Sequence, residues 1–79
     1  MKKIISVKPL DDYNLLLIFS NNEKRIKDMK PYLNKGVFKK LKNKTFFNSV
    51  HISFDTISWN DEIDICADTL YQTSTPLNQ

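Results

Sequence analysis

The residues best equipped for chemistry fall in one stretch, Ser-Trp-Asn-Asp-Glu-Ile-Asp-Ile-Cys-Ala-Asp-Thr-Leu-Tyr, residues 58–71. It holds Trp59, four acids (Asp61, Glu62, Asp64 and Asp68), the single cysteine Cys66, and Tyr71. Paired carboxylates act as acid and base when their surroundings drive their pKa values apart. They also bind calcium, but this run lacks the spacing and central glycine of an EF-hand loop. A chain with one cysteine and one histidine has no zinc-finger spacing and no internal disulfide. His51 alternates with Val50 and Ile52, so it points away from the core; with no nucleophile beside it in sequence, it is a poor catalytic base. A single glycine rules out a glycine-rich phosphate loop. The expectation is therefore structural. Asp64 or Asp68 caps a terminal helix and the other acids face water. Trp59, Leu70 and Tyr71 anchor the segment, and Cys66 is a small buried apolar residue. No catalytic residue, cofactor or metal is assigned.

A second cluster is basic. Lys35, Lys39, Lys40, Lys42 and Lys44 interleave with Phe38, Phe46 and Phe47, a composition shared with nucleic-acid-binding surfaces. No arginine lies among them, and lysine attracts phosphate without reading bases. The charge is divided along the chain. Residues 1–44 carry all twelve lysines and arginines against four acids, a net of +8. Residues 45–79 carry five acids and neither lysine nor arginine, a net of −5. Such a division marks a half that faces nucleic acid or a membrane, two faces of one domain that attract each other, or a dipole that orients a partner. Solvated surface lysine needs no special explanation and is the leading reading.

These residues must be positioned by one small domain, since 79 residues bury only about 60–65% of their unfolded surface. The opening Met-Lys-Lys-Ile-Ile-Ser-Val is too short an apolar run for a signal peptide, and no segment has the length to span a bilayer. A cytoplasmic protein is expected. Ile5 and Val7 alternate with Ser6 and Lys8 as in a half-buried strand, which Pro9 ends. Residues 13–19 are apolar on both faces: Tyr13, Leu15, Leu17 and Phe19 on one, Leu16 and Ile18 on the other. That pattern predicts a central strand covered on both sides, the second by a partner subunit. Asn21 and Asn22 suit a two-residue turn. A third strand sets Arg25 and Lys27 against Ile26 and Asp28, and its lysines suit a sheet edge. Asn34 caps a short helix with Val37, Phe38 and Leu41 on one face. Val50, Ile52 and Phe54 then return to period two, Asp55 and Thr56 turn the chain, and residues 57–59 form a short strand. Residues 67–72 read as a last helical turn, and residues 73–79 as a flexible tail.

The assembled pattern resembles a bacterial family known as domain of unknown function 2442. The resemblance runs from about residue 3 to residue 72. It rests on Val7, Pro9, Leu10, Phe19, Asp28 and Pro31, then on Gly36, Phe38, Leu41, Phe47 and Val50. Its most specific part is the terminal signature Trp59, Asp64, Ile65, Cys66, Asp68, Leu70 and Tyr71. Asn60 and Glu62 stand where the family has proline and glycine, Ala67 where proline is common, and Asn22 where glycine is usual. The resemblance implies an α+β domain: an antiparallel three-stranded meander, a short helix, a further β-hairpin and a short C-terminal helical turn. It implies no catalytic residues. Some relatives sit in gene pairs resembling toxin–antitoxin systems. The leading expectation is a non-catalytic protein–protein interaction module, one partner of such a pair or a homodimer. The alternative is a nucleic-acid-binding accessory domain that uses the basic segment 35–44.

Overall fold

The computed structural model describes residues 2–77. The meander forms as the alternation demands: β1 (Ile4–Pro9), β2 (Asn14–Phe19) and β3 (Lys24–Asp28) pair antiparallel. Leu15, Leu17 and Phe19 fill the core from β2, each worth about 1.5–3 kcal/mol relative to exposure. Leu16 and Ile18 are half-buried on the other face, beside Ile26, Lys8 and Lys24. Within this chain, only one side of the sheet packs on the core.

Three local expectations change. A register shift between Ile4 and Ser6 makes a bulge. The extra residue breaks the period of two, so Ile4 is buried and Ile5 turns to solvent. The β2–β3 connection is not a two-residue turn. Phe19 N–H donates to Glu23 and only Asn22 takes positive φ, so three residues, 20–22, make the loop. The faces of β3 are reversed as well. Arg25 and Lys27 point into the core side, 9% and 5% exposed, while Ile26 lies on the outer face.

Nor is β3 an edge. After the terminal helix the chain forms β7 (Thr75–Pro76), which pairs with Arg25 and Ile26, giving the order β1-β2-β3-β7. The residues expected as a tail thus begin with the end of a helix and continue into this strand. Residues 78–79 lie outside the described residues.

The middle of the chain runs through short helices. A 3₁₀ helix covers Gly36–Lys42, and α1 covers Lys44–Phe47. Asn34 caps neither. Asn43 caps α1, its side chain accepting from Phe46 N–H at 3.1 Å. Three residues per turn align Phe38 with Leu41, so Leu41 is buried, Phe38 is half-buried, and Val37 is left 58% exposed.

The expected hairpin forms from β4 (His51–Ser53) and β5 (Thr56–Trp59), and β6 (Ile63–Ile65) extends it into a second sheet of three strands. The turn falls at Phe54–Asp55, one residue earlier than the alternation suggests, because Ser53 pairs with Thr56. The helix α2 (Ala67–Thr73) closes the domain. One core joins both sheets and both helices, with Trp59, Ile57, Leu41, Met29 and Leu70 fully buried. The result is a small α+β fold.

Candidate functional site

The tip of the β4–β5 hairpin is built against local preference. Two residues between paired Ser53 and Thr56 demand a type I′ turn, with positive φ at both positions. Phe54 has φ 50° and Asp55 φ 67°. Aspartate tolerates this region; for phenylalanine the left-handed conformation costs about 1–2 kcal/mol. Burial does not offset that cost, because Phe54 is 98% exposed. The tip is nonetheless held in place, since Ile4 N–H donates to the Asp55 carbonyl at 2.8 Å.

Phe54 is a ridge between two clefts. One, of about 280 Å³, is lined by Lys2, Asp55, Thr56, Cys66, Ala67 and Asp68. The other, of about 270 Å³, lies over the polar face of the second sheet, where His51, Ser53, Thr56, Ser58 and Asp64 alternate with apolar residues. Ser53, Thr56, Ser58, Asp61 and Asp64 line it with Phe54. Ser58 is only 6% exposed and makes no side-chain hydrogen bond among the described residues. No fully enclosed side-chain polar atom lacks a partner, so this hydroxyl opens into the cleft.

The turn at residues 60–62 supplies the cleft's far wall. Asn60 (φ 53°) and Asp61 (φ 57°) occupy the left-handed region that their short polar side chains tolerate. His51 Nε2 lies 3.5 Å from Asp61, and its Nδ1 faces the Ser49 carbonyl at 3.3 Å. Ser58 is the cross-strand neighbour of His51, yet both ring nitrogens are directed elsewhere. The other cross-strand neighbour of Ser58 is Asp64, which lines the same cleft.

The four acids of the stretch disperse. Asp61 and Asp64 share the second cleft; Asp68 lies across the Phe54 ridge and accepts from the Lys2 backbone N–H at 3.2 Å. Glu62 leaves both clefts for Lys40 at 3.0 Å, and hydrogen bonds from Lys40 and then Asn60 hold its carboxyl below the ordinary value. Neither Asp64 nor Asp68 caps α2. Cys66 occupies the N-cap position without a side-chain cap bond, and Asp68 sits in the first turn. Cys66 is exposed rather than buried, because Ile65 and Ala67 on either side take the inward positions.

The aromatic members of the signature act in packing. Trp59 is fully buried, with Nε1 donating to the Phe47 carbonyl at 2.9 Å. Tyr71 stands edge-on to Phe19 at 5.1 Å and donates to Glu23 at 2.7 Å. Arg25 pairs with the same Glu23, stacks 4.3 Å over Tyr71, and donates to the Ser74 hydroxyl and carbonyl at 2.7 Å each. Lys35, Lys39, Lys40, Lys42 and Lys44 are all exposed. Of the interleaved rings, Phe47 is buried and Phe38 and Phe46 are half-buried against the core.

Phe54 and Ser58 were not among the expected site residues. Period-two reading carried Phe54 inward with Val50 and Ile52, because alternation does not mark where a two-residue turn interrupts it. A model of the family described as Protein of unknown function (DUF2442) matches residues 4–76, nearly the whole chain. Neither a curated protein nor a solved structure matches.

Proposed function

The chain belongs to the family described as Protein of unknown function (DUF2442), and from that premise we propose that it is a non-catalytic protein–protein interaction module. Its setting is a two-protein system of the toxin–antitoxin kind in the bacterial cytoplasm. One observation carries the reading: an almost fully exposed phenylalanine is held at a turn position that disfavours it, on a tip fixed by a backbone hydrogen bond. A strained, solvent-facing aromatic adds nothing to folding, and such residues concentrate where proteins bind. The surrounding carboxylates give the tip a polar rim, the anatomy of a partner-binding patch.

The test compares tagged wild-type chain with Phe54→Asn, both expressed in the native cell. Asparagine suits the turn, so the variant folds and removes only the ring. The expected result is a protein that co-purifies in near-stoichiometric amount with wild type and is lost from the variant. Equal recovery with both chains overturns the assignment of this face.

A further inference from the structure

The partner's chemistry can be read from the second cleft. Its floor is Ser58, a residue 6% exposed whose hydroxyl opens into the cleft and has no hydrogen-bond partner among the described residues. Asp61 and Asp64 form its walls, and the Phe54 ring stands at its rim. Among the described residues, neither aspartate is paired with a lysine or arginine; His51 is the one basic group at Asp61. The chain offers none nearby in sequence, since residues 45–79 contain no lysine or arginine. An unpartnered hydroxyl on the cleft floor, two carboxylates and an aromatic face together ask for a cation with several donors.

The size and lining narrow the choice. At about 270 Å³ the cleft is smaller than most small-molecule pockets, which start near 300 Å³, and is suited to a single side chain. No group of three or more histidine, cysteine, aspartate or glutamate side chains that could hold a metal ion occurs among the described residues. A guanidinium fits better than an ammonium. Its planar fork presents five donors to acceptors on several sides, and its flat face stacks on an aromatic ring.

We propose that the cleft over β4–β6 receives an arginine side chain of the partner protein, with Asp61 and Asp64 pairing the guanidinium, Ser58 accepting from it and Phe54 covering it. This rests on the interaction reading above and names the partner's contact residue.

The experiment titrates the full-length, ¹⁵N-labelled chain with Nα-acetyl-arginine amide and, separately, with the lysine counterpart. Expected are amide shifts confined to residues 51–64 and arginine binding about threefold tighter than lysine. Asp61→Asn combined with Asp64→Asn weakens arginine binding about fivefold, the loss of two exposed ion pairs. Phe54→Asn removes the arginine preference, and the spectra themselves report that both variants are folded. Three outcomes overturn the proposal: shifts spread over unrelated acids such as Asp11 and Asp12, equal affinity for the two amides, or a double variant that binds like wild type. Phe54-dependent co-purification without an arginine response removes this inference alone. Loss of both removes the interaction reading as well.

Discussion

Phe54 gives up backbone energy and gains no burial, so its replacement by a residue suited to positive φ separates folding from function. Phe54→Asn is expected to raise stability by about 1 kcal/mol. For a domain of this size that is a rise in melting temperature of about 4–8 °C, readable by thermal denaturation. A lower melting temperature would mean that the ring supports the fold after all. Lys27 poses the opposite problem. It is 5% exposed, yet among the described residues its ammonium meets only neutral oxygens, Tyr32 at 3.1 Å and Thr73 at 2.9 Å, and the Tyr32 ring at 4.7 Å. A desolvated charge without a carboxylate is a net cost that a thioether of similar length avoids. Lys27→Met is therefore expected to raise the urea midpoint by about 1 kcal/mol equivalent. At this scale the sequence was legible for Trp59 and Leu70, whose size and apolarity leave only the core open to them. It misled for Lys27 and Arg25, because composition says surface while the register of β3 sends them inward. Both stems pack against the sheet, and each charged head finds hydrogen bonds at the far end.

Among the elements, α2 and β3 are tied through one network: Tyr71 and Arg25 converge on Glu23, and Arg25 continues to Ser74. The Tyr71 hydroxyl first, and Arg25 second, hold the Glu23 carboxyl below its ordinary 4.5. A carboxyl depressed in the folded state stabilises fully above its unfolded pKa, and that contribution drains as pH falls through the folded value. Tyr71 moves the other way: Glu23 raises it above 10.0, so its contribution is present below that pH and is lost as pH rises through the folded value. Asp28 and Glu62 are depressed too and share the acid limb. Glu23→Gln is expected to flatten, without abolishing, the fall in urea midpoint between neutral and acid pH. An unchanged slope would place the acid sensitivity elsewhere. The strands of the meander were legible because period two extends over five or six residues. The second hairpin was legible in principle, since His-Ile-Ser and Thr-Ile-Ser flank Phe54–Asp55 with the same alternation. Strand β7 was not, because two residues carry no period and their place is set by the packing of the chain that precedes them.

Across the whole molecule, the acids of the second half gather at the hairpin end, where Lys2 lines the first cleft and Lys40 reaches Glu62 beside the second. Asp55, Asp61, Asp64 and Asp68 surround Phe54, and the five lysines of residues 35–44 are all exposed elsewhere in sequence. For the nucleic-acid alternative, the rings that would stack on bases turn toward the core. Any affinity for single-stranded DNA or RNA is therefore expected to be lysine-driven and to vanish at physiological salt, as fluorescence anisotropy would record. Specific binding that survives such salt would favour the alternative. No helix among the described residues is long and apolar enough to cross a membrane. Within residues 58–71 the structure buries Trp59 in the core, packs Tyr71 against it, and sets three of the four acids, Asp61, Asp64 and Asp68, beside the ridge supplied by Phe54. The central claim is that this ridge meets a protein. It is tested most directly by replacing Phe54 with the photoreactive p-benzoylphenylalanine in the native cell, irradiating, and identifying the adduct by mass spectrometry. The account predicts one dominant protein adduct, absent when the photoreactive residue stands at exposed Lys24 instead. A nucleic-acid adduct, or the same faint mixture from both positions, would contradict it.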